Sequence, residues 1–171
     1  MKDDESPIVN LHDLPETREL VDDYRGEIYK VLTPSMRPRG GRLGVNWVCV
    51  PPRRTGVPFH MHQREDEVFF VLSGRGTLRY GERLYSLKAG DCVSCPAGTG
   101  VAHQLANTAE EDLIYLAVGS HDPDEVCVYP DSGKVLVRSL QRRGWLKDAE
   151  YLDGEPEVPR IFTLVDDGES E

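Results

Sequence analysis

Long apolar runs are missing from this sequence: nowhere do apolar residues approach the roughly 20 in succession that a helix needs to cross a bilayer. That excludes a helical membrane span. Positive charge is scarce as well. Twenty Lys and Arg face 30 Asp and Glu, a net charge of −10. A surface this acidic repels phosphate backbones, so nucleic acid is excluded as an expected partner. The basic clusters Arg37/Arg39/Arg42, Arg53-Arg54 and Arg142-Arg143 read as solvated surface. Cysteine is sparse too, with Cys49, Cys92, Cys95 and Cys127 in 171 residues, and a chain of this length has no need of disulfide staples. The acidic start Met1–Glu5 has no apolar segment behind it. No signal peptide is visible, and a cytoplasmic location is expected.

What the sequence does have is a succession of short β-rich runs. Between Leu43 and Arg138 they are Leu43–Val50, Val57–His62, Glu67–Leu72, Gly76–Tyr80, Arg83–Leu87, Asp91–Cys95, His103–Ala106, Leu113–Gly119, Val126–Tyr129 and Lys134–Arg138. Turn residues separate them, among them Pro51-Pro52, Ser73-Gly74, Ala89-Gly90, Pro96-Ala97-Gly98 and a tight hairpin candidate at Tyr80-Gly81-Glu82. Many short strands with almost no helix predict an all-β sandwich or barrel. In Glu67–Leu72 both parities are apolar, which predicts a strand buried on both sides. Cys92 and Cys95 sit three apart on one such run. They face opposite ways, about 10 Å apart along the strand, and so cannot pair. All the cysteines read as buried, reduced small hydrophobes.

The flanks are less regular. Residues 1–41 read as an N-terminal arm, with a helical turn after Pro15 and a short strand over Glu27–Leu32. Residues 42–138 form the barrel, and residues 139–171 a C-terminal arm that ends in an acidic tail, Asp166–Glu171. Ile161–Val165 is expected as a last strand. Trp145, Tyr151 and Phe162 need apolar cover, and a homodimer interface is one way to supply it.

Chemistry concentrates on four side chains. His60 and His62 are i and i+2, hence on one strand face. Glu67 follows after a loop, and His103 arrives after the Gly/Pro-rich turn at residues 96–100. Imidazole and carboxylate together suit a divalent transition metal. Glu65 and Asp66 are rival carboxylates, but they fall in the loop, whereas strand parity favours Glu67. By the same parity Phe69, Val71, Leu105 and Tyr115 line a largely apolar pocket. His121 reads as a rim-loop residue.

The spacing resembles the cupin family. Its first motif corresponds to His60-x-His62, four residues, Glu67, six residues, Gly74. Its second corresponds to Gly90, five residues, Pro96-x-Gly98, four residues, His103, three residues, Asn107. Two departures stand out. Gly56 lies closer to His60 than the family's usual first glycine, and the gap from Gly98 to His103 is longer than usual. Both alter rim loops and leave every ligand in place. The resemblance implies a double-stranded β-helix, or jelly-roll barrel, between the two arms. It also implies a common dimeric state, one metal ion (Fe, Mn, Ni, Co or Zn) on His60, His62, Glu67 and His103, and a framework role for Asn107. The expected function is a metal-dependent enzyme acting on a small molecule. Dioxygenase chemistry comes ahead of decarboxylase, lyase or isomerase chemistry, because the pocket offers no evident proton carrier. The alternative is a non-catalytic small-molecule or sugar-binding module with a structural metal.

Overall fold

The computed structural model describes residues 7–166; the acidic Met1–Glu5 and all of the acidic tail beyond Asp166 lie outside that range. Turns at the expected Gly and Pro positions cut the chain into antiparallel strands. They are β1 (Thr17–Leu20), β2 (Gly26–Val31), β3 (Leu43–Val50), β4 (Met61–His62), β5 (Glu67–Ser73), β6 (Arg75–Tyr80), β7 (Arg83–Lys88), β8 (Cys92–Cys95), β9 (His103–Ala106), β10 (Leu113–Ser120), β11 (Val126–Tyr129), β12 (Lys134–Val137) and β13 (Arg142–Trp145). They assemble as a six-stranded sheet in the order β1-β2-β3-β10-β5-β8, a four-stranded sheet β13-β12-β11-β4 and a three-stranded sheet β7-β6-β9. This is the jelly-roll architecture expected of the sequence. No helix among the described residues is long and apolar enough to cross a membrane.

One face of β3 and of each strand from β5 to β10 fills the interior. Val48 and Val50 from β3, Phe69 and Val71 from β5, Leu78 from β6, Leu87 from β7, Val93 and Cys95 from β8, Leu105 from β9, and Leu113 and Tyr115 from β10 form one buried cluster. Asn107 ties the loops to this core. Its Nδ2 donates to the carbonyl oxygens of Val50 and Glu111, both at 2.7 Å, and its Oδ1 accepts the Ala109 N–H at 2.9 Å. Gly81 and Glu82 make the two-residue turn between β6 and β7, with Tyr80 paired to Arg83. Gly74 turns β5 into β6 at φ +81°, a region that side chains other than glycine's rarely adopt, and any Cβ there would collide with the Asp112 backbone.

Several expectations change. The segment after Pro15 is a strand, not a helical turn: β1 pairs with β2, and β2 with β3, so lead-in residues extend the large sheet. The run from Val57 forms regular strand only at Met61–His62. Pro58 has no N–H to give a ladder. Beyond the expected strands, β13 pairs with β12 across a turn in which Gln141 takes a positive φ of 51°. Ile161–Val165 lies within a helix, Arg160–Asp166 (α1), directly after Pro159. A strand needs a neighbour to satisfy its backbone groups, and a helix satisfies its own. The exterior of β5 also differs. Phe70 and Leu72 are 41% and 42% exposed, so this strand is covered on one side only. Cys92 is exposed whereas Cys49, Cys95 and Cys127 are buried; all four are free thiols.

Candidate metal centre

The site forms where three short elements begin or end together. His60 and His103 exchange backbone hydrogen bonds, His60 N to His103 O at 3.1 Å and His103 N to His60 O at 2.7 Å. That bridge lays the start of β9 beside the segment entering β4. His62 ends β4 and is held by pairing with Cys127 on β11. Glu67 opens β5. A tight loop, residues 63–66, reverses the chain between His62 and Glu67.

Three imidazoles converge on one carboxylate oxygen. Glu67 Oε2 lies 2.9 Å from His103 Nε2, 3.3 Å from His62 Nε2 and 3.5 Å from His60 Nε2. His60 and His103 are buried, with 7% and 2% exposure. His60 Nδ1 lies 2.9 Å from the Pro58 carbonyl oxygen, to which only an N–H can donate. That bond places the proton on Nδ1 and leaves the Nε2 lone pair facing Glu67. Neither ring nitrogen of His62 has an aligned hydrogen-bond partner, although both are buried. A buried polar atom left unpaired is costly, and a ligand at Nε2 would satisfy it. Three imidazole nitrogens and one carboxylate oxygen fit a divalent transition metal ion.

The rival carboxylates are engaged elsewhere. Glu65 is buried and grips the Arg138 guanidinium through both oxygens, while also accepting the Asp122 N–H at 2.6 Å. Asp66 accepts the Ala97 N–H at 2.9 Å. Cys127 lies close enough to His60 and His62 to form a cluster with them, but burial pushes its thiol up to about 11. With no cation beside it the thiol stays protonated at neutral pH, and it would have to lose that proton to act as a ligand.

Charge in the site follows from this packing. Burial raises the Glu67 carboxyl, but the His103 hydrogen bond and the His60 and His62 imidazoles gathered on the same oxygen outweigh it and hold the group well below the usual carboxylate range. Burial lowers His62, yet Glu67, Glu125 and Glu65 together lift it above its ordinary value. Burial also lowers His103, and the imidazoles of His60 and His62 add to the effect.

Beside these groups opens a cavity of about 270 Å³ whose wall includes Arg37, Asn46, Ser120, His121, Tyr129 and Arg138. It is more polar than the sequence suggests. Phe69, Val71, Leu105 and Tyr115 belong instead to the packed core, with Phe69 between His103 (tilted, centroids 5.6 Å apart) and Tyr115 (edge to face, 5.7 Å). His121 lines the cavity from its loop, its Nδ1 2.7 Å from Arg138. Burial lowers it, and the Arg138 and Arg37 charges lower it further.

Sequence reasoning misses three contributors. Glu125 is fully buried; it accepts the N–H groups of Gln63 and Arg64, both at 2.9 Å, and sets Oε1 3.3 Å from His62 Nδ1. It therefore holds the 63–66 loop and places a negative charge behind the His62 ring. Arg138 links Glu65, His121 and the Asp122 carbonyl from the far side. Glu27, on β2, lines a neighbouring cavity of about 470 Å³ that shares Arg37, Gly44 and Asn46 with the first. Burial raises its carboxyl to about 7, with help from Glu19, against a hydrogen bond from Tyr115. Gly56 makes room for it, since a Cβ there would overlap the Glu27 carboxylate. The one signal available in the sequence was Glu125 directly ahead of an apolar strand.

Several known proteins resemble this chain. Residues 46–119 match the family model described as the cupin domain. An oxalate-binding protein of Thermotoga maritima is 34% identical over 67 residues, 39% of this chain and 54% of that protein. Auxin-binding protein 1 of Arabidopsis thaliana is 31% identical over 136 residues, 73% of this chain and 65% of that protein. The chain thus spans between about half and two thirds of the length of these curated relatives. Among solved structures, a protein of Acidithiobacillus ferrooxidans named provisionally as a sugar phosphate isomerase superposes with a TM-score of 0.65 at 28% identity, covering 74% of this chain and 81% of that one.

Proposed function

From a chain that carries a cupin domain, we propose a metal-dependent protein in which His60, His62, Glu67 and His103 hold one divalent ion (Fe, Mn, Ni, Co or Zn) and the adjoining cavity takes a small oxygen-rich anion. The observation that carries the reading is the convergence of three Nε2 atoms on Glu67 Oε2, with His62 Nε2 buried and unpaired. When bound, such an ion acts as a Lewis acid on a coordinated oxygen.

The chain's own residues suit an anion. Arg37 has no carboxylate within ion-pair distance among the described residues, and it lines the cavity. Arg138 adds donors, although Glu65 takes much of its charge. Proton carriers are present as well. His121 presents its imidazole at the cavity wall, with Nδ1 2.7 Å from Arg138. Tyr129 stacks on His60 with centroids 6.2 Å apart, and burial raises its hydroxyl to about 12, so it keeps a proton to donate. The preference for a dioxygenase rested on the lack of such groups and loses that basis. Proton-transfer chemistry on a small anion, as in isomerisation or decarboxylation, becomes the preferred enzymatic reading, with a non-catalytic binder as the alternative. The names of the oxalate-binding relative and of the provisional sugar phosphate isomerase make carboxylates and sugar phosphates the first ligands to test.

The test is elemental analysis of the full chain, followed by calorimetric titration of oxalate and a sugar phosphate onto the manganese- and nickel-loaded protein. The expected result is one metal per chain and anion binding that disappears in His62→Ala. Failure to retain metal after reconstitution refutes the centre. Metal and anion binding without turnover selects the non-catalytic module, and oxygen uptake with an organic substrate restores the dioxygenase.

A further inference from the structure

A second cavity, of about 450 Å³, adjoins the metal centre without containing any of its four candidate ligands. Residues 55–59 form its floor, and it shares Val57, Pro58 and Tyr129 with the cavity beside Glu67. The turn between β1 and β2 makes one wall and the β11–β12 hairpin another. Backbone hydrogen bonds fix the first wall to the floor. Gly26 N–H donates to the Thr55 carbonyl and Thr55 N–H to the Tyr24 carbonyl, both at 2.9 Å. The volume lies in the range of small-molecule sites.

The surface inside it is mostly apolar, from Val21, Val57, Pro58, Phe59 and the Tyr129 ring. Val21 is 75% exposed, so hydrocarbon stands open to water there. The neutral polar groups are already engaged. The Val57 carbonyl accepts Thr55 Oγ1 at 2.8 Å and Gln104 Nε2 at 3.0 Å. Asp131, the one carboxylate among the described residues of the wall, is paired with Arg79 at 2.7 Å. That guanidinium lies against Phe59, its Cζ 3.5 Å from the ring centroid. The charge left over is positive. Among the described residues no carboxylate lies within ion-pair distance of Lys134, whose Nζ sits 5.7 Å from the Tyr129 ring centroid. Exposed Arg25 shares its charge with Asp22 at 3.5 Å. A sugar would leave its hydroxyls unpaired against these apolar walls. A phosphate dianion needs more donors than one ammonium supplies. We propose that this cavity binds a monocarboxylate with a compact hydrocarbon body, its carboxylate on Lys134 and its body against Val21, Val57 and Pro58. The site uses none of the metal ligands, so the proposal stands independently of the metal reading.

Calorimetric titration of cyclohexanecarboxylate onto the full chain, held in chelator, tests it. One ligand per chain should bind the metal-free protein. Cyclohexanol, which lacks the charge, and acetate, which lacks the body, should each bind more weakly. Lys134→Met should weaken binding roughly tenfold or more, the worth of a hydrogen bond to a charged group, and Lys134→Arg should retain it. Val21→Asp, which sets a negative charge in the wall, should weaken it as well. Lys147→Met removes the same charge from an exposed position outside the cavity and should leave the affinity unchanged. Circular dichroism confirms the fold of each variant, and the comparison of the three ligands on wild type decides the matter even where a variant fails to fold. No binding in chelator overturns the proposal, as does an affinity that survives Lys134→Met. So does binding seen only with metal loaded and lost in His62→Ala, which would place the carboxylate on the metal instead.

Discussion

Replacing Glu27 by glutamine should stabilise the protein, and only above a defined pH. The Glu27 carboxyl is packed against Gly56 and under the Tyr115 hydroxyl, with Glu19 and, more weakly, Glu67 adding negative potential. Its folded value is raised from 4.5 to about 7. Between those values the native state keeps a proton that the unfolded state has lost, so stability falls as pH rises through the window. Below 4.5 both states are protonated and nothing is lost; above 7 the whole cost stands. At about 1.4 kcal/mol per pH unit, that cost is about 3 kcal/mol at most. Glutamine has the same shape, still accepts the Tyr115 hydroxyl through its amide oxygen, and carries no charge to bury. The variant should therefore match wild type near pH 4 and exceed it by about 1–3 kcal/mol at pH 8, a rise in midpoint of several degrees at about 2–4 °C per kcal/mol for a chain of this size. Urea unfolding of both proteins from pH 4 to 8.5, in chelator so that no bound cation offsets the Glu67 charge, gives the difference curve. A difference that does not change with pH, or that favours wild type at pH 8, refutes the account of Glu27 as a half-buried acid whose charge is only partly compensated.

Glu125→Gln should lower metal affinity about 10- to 100-fold, the usual effect of losing a carboxylate behind a ligating histidine; competition against a chromophoric chelator measures it. Asn107→Ala removes the donors to Val50 and Glu111 and the acceptor for Ala109, and should cost about 3 kcal/mol by denaturant unfolding, since each group left buried and unpaired costs roughly 1–3 kcal/mol. Manganese or nickel at a hundredfold excess over Kd should add about 2.7 kcal/mol to wild-type stability and nothing comparable to His62→Ala, as read from paired thermal melts with and without chelator.

The candidate centre was legible because its spacing is local. His60 and His62 share a face by strand parity alone, and the Gly/Pro turns around Glu67 and His103 are written in residue types. Glu65 could be set aside on the same grounds, and the structure gives it Arg138 to hold. Residues behind the centre were not legible. Glu125 depends on β11 pairing with β4, Arg138 on the chain continuing past β12 toward Glu65, and Glu27 on β2 adding to the edge of β3. Each is a consequence of tertiary pairing with no short-range signature. The helix at Arg160–Asp166 was misread for a related reason: Ile-Phe-Thr-Leu-Val has strand-like residues, but no neighbouring strand receives it. The apolar outer parity of β5 was read correctly as apolar and wrongly as covered, because composition does not say where a covering layer comes from.

The position of β10 between β3 and β5 bears on how the chain reaches its native state. Ser120 meets Leu43 and Leu113 meets Val50, so the centre of the large sheet cannot close until dozens of intervening residues have been synthesised and gathered in. Such non-local pairing makes for folding on the millisecond-to-second scale. During that interval β5, with Phe70 and Leu72 on its outer side, waits with its β10 edge unpaired. Crowded or hot conditions should therefore divert folding intermediates into aggregates at this strand before they affect the finished fold.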